Sequence, residues 1–337
     1  MRVKQLFRAA SLVCRACLSD PGHREWRLEE EATERSGQEM DLDYFVVDVF
    51  TDTPLAGNPL AVVMNTAGLA TEQMQAIARE FNLSETTFVE RRPAEVERRE
   101  GVRVRIFTTQ EELQFAGHPT LGTASVLKSH APETLLEDTV TLALNVGAVP
   151  VRFSGDGFFG EMTQRDPEFG AELDANEVAR LTGLRVEDLD SALPPRIVST
   201  GTPFAIVVLK SHQALARLNV IQEEATEWLR GRGARWFYVL GPTDAGPAGN
   251  DAPQWRARMQ FNGGEDPATG SAAGCAISHL VQSGAVQSGV RIHLRQGVEM
   301  RRPSDLYLMA HLQSAVVGDI RVGGSTVPVA KGRLFLP

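Results

Sequence analysis

The chain has 337 residues, 42% of them hydrophobic and 23% charged, and a net charge of −9. That length exceeds one ordinary domain and predicts two buried cores, while the excess of acid with no basic stripe excludes a general nucleic-acid binder. Cys14, Cys17 and Cys275 are too scattered for a disulfide framework and point to a reducing, cytoplasmic setting, and no run approaches the ~18 apolar residues of a membrane span.

Residues 1–39 start basic, are broken by Arg8 and Arg15, and end in an acidic run at Glu29-Glu30-Glu31. They are expected to be an extension ahead of the domain proper, native or not, which opens near Met40. Within them Cys14-Arg15-Ala16-Cys17 is a lone C-x-x-C with no second pair, too little for a zinc or redox site. A β-branched and aromatic run, Tyr44 to Phe50, predicts a strand, and Gly57-Asn58-Pro59 punctuates a loop before a second strand at Leu60 to Met64. Thr71 is placed to cap a helix carrying Met74, Ile77, Ala78 and Phe81 at helical spacing. Thr86 to Val89 and Val102 to Phe107 read as strands, with a charged loop holding Arg91-Arg92 and Arg98-Arg99 between them. A helix of small residues, Pro119 to about Leu127, precedes strands at Val140 to Leu144 and Val149 to Phe153.

The second half repeats these kinds of pieces. Short helices are expected at Asn176 to Leu181 and Glu223 to Arg230, and strands at Arg196 to Leu209, broken at Thr200-Gly201-Thr202-Pro203, at Trp236 to Leu240 and at Trp255 to Phe261. A second small-residue helix runs from Pro267 to about Val281, followed by strands with turns at Gly297 and Gly323-Gly324. The expected organisation is a first lobe over 40–165 and a second over 166–337, whose last strand can return to the first.

His118-Pro119-Thr120-Leu121-Gly122-Thr123-Ala124 matches Asp266-Pro267-Ala268-Thr269-Gly270-Ser271-Ala272 in proline, glycine, hydroxyl and alanine. Each copy follows a strand and opens a small-residue helix, so duplication explains both, and related lobes would set the two segments across one cleft. Helix starts with free N–H groups and small residues suit a carboxylate-bearing substrate and the enolate it would form. At the heads of the two copies stand His118 and Asp266, a histidine of near-neutral pKa and a carboxylate, fitted to binding and proton relay. Glu85, in Asn82-Leu83-Ser84-Glu85-Thr86-Thr87-Phe88, sits at a loop-to-strand junction; by spacing alone it is an ordinary glutamate, and only burial would make it a base near neutrality.

Asp48-Val49-Phe50-Thr51, Gly57-Asn58-Pro59-Leu60, Asn82 to Phe88, Gly117-His118-Pro119-Thr120, Glu265-Asp266-Pro267-Ala268-Thr269-Gly270-Ser271, Gln296-Gly297, Arg302-Pro303-Ser304 and Gly323-Gly324 resemble, in order, the signature blocks of the PhzF-like family. The resemblance runs from Met40 to the end. It implies an α+β fold similar to diaminopimelate epimerase: two pseudo-symmetric lobes, each a curved, mostly antiparallel sheet around a central helix, as a homodimer. It also implies a proton-shifting isomerase of the trans-2,3-dihydro-3-hydroxyanthranilate type that needs no metal or organic cofactor. In that pattern Glu85 is the general acid/base, His118 and Asp266 complete the catalytic set, and Gly117, Gly270 and Ser271 hold the substrate. Related racemases use two opposed thiols, whereas Cys275, the one core cysteine, lies inside the second small-residue helix and reads as buried structure. Two departures stand out: a short polar stretch from Arg258 to Gly264, and Arg301 where a glycine commonly precedes Arg302-Pro303-Ser304.

Two other functions fit the same residues: a small-molecule-binding or interaction protein without turnover, and an amino-acid epimerase that uses carboxylate in place of thiol. Intact Glu85, His118 and Asp266 favour the isomerase.

Overall fold

The computed structural model describes residues 40–154, 157, 159–244, 254–261 and 264–336. The extension, its Cys14–Cys17 pair, and Asn262-Gly263 in the polar stretch lie outside the described residues. In the first half β1 (Met40–Val49), β2 (Asn58–Val63), α1 (Thr71–Phe81), β3 (Glu85–Glu90), α2 (Ala94–Glu100), β4 (Val102–Phe107) and β5 (Glu112–Leu113) lead into α3 (Gly117–His130). Then come β6 (Leu135–Leu136), β7 (Thr139–Leu144), β8 (Gly147–Ser154) and β9 (Phe159–Gln164). The second half holds β10 (Glu168–Glu172), α4 (Ala175–Thr182), β11 (Arg196–Ser199), β12 (Pro203–Val208), α5 (Gln222–Arg230), β13 (Phe237–Pro242), β14 (Trp255–Arg258), β15 (Gln260–Phe261) and β16 (Gly264–Glu265). It ends with α6 (Gly270–Gln282), β17 (Ile292–Gln296), β18 (Ser304–Gln313) and β19 (Val316–Leu336). Among the described residues no helix is long and apolar enough to cross a membrane.

Strand directions repeat. In the first half β1 and β2 are antiparallel, β2 and β3 parallel, β3 and β4 antiparallel, β4 and β7 parallel, and β7, β8 and β9 antiparallel. The run β11, β12, β13, β14, β17, β18, β19 follows the same sequence of directions. Parallel neighbours need a crossover. The first crossover of each half carries an outer helix, α1 or α5, and the second carries α3 or α6. These two inner helices are apolar and small on nearly every side, as burial all round requires: Leu121, Ala124 and Leu127 of α3 and Ala272, Ala273, Ala276, Ile277 and Leu280 of α6 are inaccessible. Both belong to one apolar cluster that runs through the two halves.

The last strand joins the halves. β19 pairs with β18 and, over Ile320 to Ser325, with β9; it then continues along the whole of β1, from Thr326 against Val49 to Leu336 against Met40. Strands β1, β2, β3, β4, β7, β8, β9 and β19 thereby close into a ring around α3, and the fold is the α+β arrangement of two pseudo-symmetric lobes.

Local expectations are corrected in four places. Ala70, not Thr71, occupies the N-cap of α1; its N–H is taken by the Gln73 side chain, and the Thr71 hydroxyl accepts from Arg105. The charged loop contains α2, which packs through buried Glu97, held by Arg91 at 2.9 Å. Gly323-Gly324 is no turn but lies inside β19, where a Cβ on Gly324 would come within 2.5 Å of Phe50; the turn is at Ser314-Ala315, both at positive φ. Finally, α6 starts at Gly270 rather than at Pro267, because the stretch from Asp266 to Thr269 is held in a turn by Asn58 and Gln296.

Candidate active site

Three polar side chains from three elements meet where α3 and α6 begin. Parallel pairing sets Glu85 beside Leu60, so the inward face of β3, Glu85, Thr87 and Val89, looks at α3; the Thr87 and Thr123 hydroxyls bond at 2.8 Å. His118 is the second residue of α3, and its Nε2 lies 3.4 Å from Glu85 Oε2. Asp266 approaches from the turn ahead of α6. The helix starts touch: a Cβ on Gly117 would lie 2.8 Å from Ser271 N and 2.9 Å from Gly270 C, so only glycine permits the contact. The first N–H groups of both helices have no partner inside their helix and carry the positive dipole end. Glu85, His118, Asp266, Gly117, Gly270 and Ser271 are thus brought to one place.

Hydrogen bonds decide the state of each group. The Asn58 Nδ2 group lies 2.8 Å from Asp266 Oδ1, 2.9 Å from the Ala268 carbonyl and 3.1 Å from His118 Nδ1, sharing its two N–H bonds among three acceptors. With Nδ1 accepting, the ring proton of His118 sits on Nε2, facing Glu85. Burial pushes the imidazolium pKa down to about 3, so this ring is a neutral donor, not the near-neutral titrating histidine expected from sequence.

Asp266 is surrounded by donors with no choice of direction. The Gln296 Oε1 atom accepts from Tyr238 OH at 3.0 Å and from Thr269 N–H at 3.2 Å, while its Nε2 donates to the Asp266 carbonyl and to Thr269 Oγ1. Thr269 Oγ1, already accepting, must give its own proton to Asp266 Oδ2, 2.7 Å away. Glu85 has no such partner among the described residues; Oε2 is buried and unpaired, like His118 Nε2 and Asn58 Oδ1. Burial, and then the charge of Asp266, push Glu85 up to about 8, whereas Asp266, raised by the same burial but held back by Thr269 and Asn58, reaches about 6. The two carboxyls are thus unequal: Asp266, held by donors, is raised less than Glu85, which has none.

Arg302 supports the site from behind. It donates to Asp48 and to the carbonyls of Ala56 and Gly57, fixing the approach to Asn58. Sequence reading passed over Asn58 as loop punctuation and treated Gln296 and Arg302 as motif members without a role; the signal was an asparagine and a glutamine inside signature blocks, residues seldom buried without a task. Cys275 is inaccessible, its thiol pushed up to about 11 by burial, with Sγ 3.6 Å from the Thr200 hydroxyl. A surface hollow of about 250 Å³ lined by Thr71, Glu72, Gln75, Arg79, Phe107 and Glu112 shares no residue with the site.

Comparison with known proteins shows the family and the fold. The model of a family described as phenazine biosynthesis-like protein, PhzC-PhzF, matches residues 47–332. The chain is 35% identical over 304 residues to an uncharacterized isomerase of Mesorhizobium japonicum, covering 87% of this chain and 99% of that one. It is 34% identical over 299 residues to the trans-2,3-dihydro-3-hydroxyanthranilate isomerase of Pseudomonas aeruginosa, again with 87% and 99% covered. A solved structure described as a predicted epimerase from Pseudomonas aeruginosa superposes with a TM-score of 0.73 at 35% identity, over 88% of this chain and 100% of the other.

Proposed function

The chain belongs to the PhzF family of phenazine biosynthesis-like proteins and is an isomerase; on that footing we propose that it shifts a proton along a small unsaturated carboxylate, with Glu85 taking and returning it. What supports this reading is the unequal pair of carboxyls: Asp266 bound by Asn58 and Thr269, and half-buried Glu85, whose buried Oε2 has no donor of its own, beside a neutral His118.

The steps follow from the groups. Ionised Glu85 removes a proton from an sp³ carbon next to the conjugated system, and the electron pair delocalises toward the substrate carboxylate. The N–H groups at the starts of α3 and α6 and the Nε2–H of His118 hold the charge that develops. Asp266, negative and close, raises the basicity of Glu85. The Glu85 carboxylic acid then returns the proton to another carbon of the same system, so nothing is gained or lost overall. The substrate is of the kind named for the Pseudomonas relative, a cyclic unsaturated carboxylate. A homodimer completes the proposal.

The test is Glu85→Gln, assayed with trans-2,3-dihydro-3-hydroxyanthranilate in heavy water. Turnover and deuterium uptake are expected to fall by at least about 10²-fold with the melting transition retained. Full exchange by that variant would remove Glu85 from the mechanism.

A further inference from the structure

The repeat extends to the strands flanking the site. Gly57-Asn58-Pro59-Leu60-Ala61-Val62-Val63 matches Gly201-Thr202-Pro203-Phe204-Ala205-Ile206-Val207, so β2 and β12 correspond residue by residue. Each is followed by a parallel partner, with Ala61 beside Thr86 in one half and Ala205 beside Phe237 in the other. One residue back, Glu85 beside Leu60 corresponds to Trp236, whose carbonyl accepts from Ala205 N–H. Direction agrees as well. Glu85, Thr87 and Val89 face inward to α3, and Trp236, Tyr238 and Leu240 face inward to the same continuous core. The pseudo-two-fold mate of the proton carrier is an indole.

We infer that Trp236 is the aromatic wall of the substrate cleft opposite Glu85, and that it selects a flat conjugated ring. Tyr238, the next inward residue on β13, donates to Gln296 at 3.0 Å, and Gln296 in turn donates to the Asp266 carbonyl at 2.8 Å, which sets this face of the strand beside the site. The start of β13 also meets the approach to α3. Arg235 bridges to Glu111 at 3.0 Å, and across the gap Phe115 lies 3.9 Å from where a Cβ on Gly201 would be. Trp236 is held at a fixed tilt by Phe204, with ring centroids 5.8 Å apart, and by the Arg235 guanidinium 4.4 Å from its ring centre. Trp236 is only partly buried, so part of its surface stays open. A planar ring offers its π face to that surface, whereas a saturated ring of the same size and charge presents axial hydrogens and stacks poorly.

This inference rests on the site proposed above and adds a residue that selects within its substrate class. The probes are benzoate and cyclohexanecarboxylate, equal in charge and similar in size, titrated by calorimetry into the full chain. Benzoate is expected to bind roughly three- to tenfold more tightly. Trp236→Leu is expected to bring the ratio near one, and Trp236→Phe to restore most of it. Equal binding of the two probes by the native chain, or a ratio unmoved by Trp236→Leu when Trp236→Phe is folded, overturns the assignment. Glu85→Gln is titrated in parallel: a Trp236-dependent ratio alongside full turnover by Glu85→Gln would sink the role of Glu85 and leave the aromatic wall standing.

Discussion

The role proposed for Glu85 depends on what surrounds it, and its titration is the most direct readout. With its pKa pushed up to about 8, the ionised form that takes the proton is a minority at neutrality. The rate at low substrate concentration is therefore expected to rise with pH, to be half-maximal near 8 and to level off above it. Thr269→Val deletes a forced donor to Asp266, whose proton affinity then rises; with less charge opposing it, Glu85 ionises more easily and the rising limb moves to lower pH. A limb that stays put in Thr269→Val would mean that the two carboxyls do not share their titration. Stability carries the same signature. A carboxyl at 4.5 in the unfolded chain and about 8 in the fold favours the fold fully below 4.5, and that contribution is lost as pH rises through 8. Glu85→Gln is accordingly expected to melt higher than the native chain at pH 8, by about 1–3 kcal/mol, with little difference at pH 4. Sequence reached these residues unevenly. His118 and Asp266 were legible as heads of a matched segment, although they are not equivalent in the fold: Gly117 meets Gly270, His118 lies inside α3 and Asp266 lies ahead of α6. Glu85 was legible only through family signatures, and Asn58 and Thr269 not at all as chemistry, since their work lies in the direction of hydrogen bonds that no spacing encodes.

At the level of elements, the site depends on two helix starts coming closer than side chains allow. Gly117→Ala is expected to cost about 1–3 kcal/mol and to reduce turnover sharply, because the new methyl group meets backbone rather than a movable side chain. A melt and a rate together check this; native activity in a folded Gly117→Ala would show that the helices can separate without harm. Arg301 offers the opposite case. It adopts φ of 59°, where a residue with a side chain is strained and glycine is not. Arg301→Gly is expected to leave the melting temperature unchanged or raise it by up to about 1 kcal/mol equivalent. The elements were mostly legible, since strands such as Val102–Phe107 alternate cleanly. The errors have local causes. Helix α2 is charged nearly throughout and pairs a buried Glu97 with Arg91, leaving no apolar stripe to read. Gly323-Gly324 resembles a turn by composition but serves close packing against Phe50 and Phe159 inside a strand.

The whole molecule is governed by β19. Its first part belongs with β18 and its remainder with β1, so the first residues of the fold and the last are neighbours along ten register pairs. Sequence reading expected that the last strand can return to the first lobe, but nothing local encodes its register along the whole of β1. Its mechanical importance can be measured. Removing residues 326–336 strips β1 of one neighbour and opens the ring around α3, and the shortened chain is expected to lose its cooperative thermal transition. A shortened chain that melts like the full one would show that the ring is not needed.

This closure also has a consequence for biosynthesis. A ribosome that has delivered the first half of the polypeptide has produced every group of the Glu85–His118 side but not the strand that seals it. The early half must wait, incompletely walled, until translation terminates. Prematurely terminated products should therefore expose apolar surface and present themselves to chaperones and proteases instead of persisting as half-enzymes.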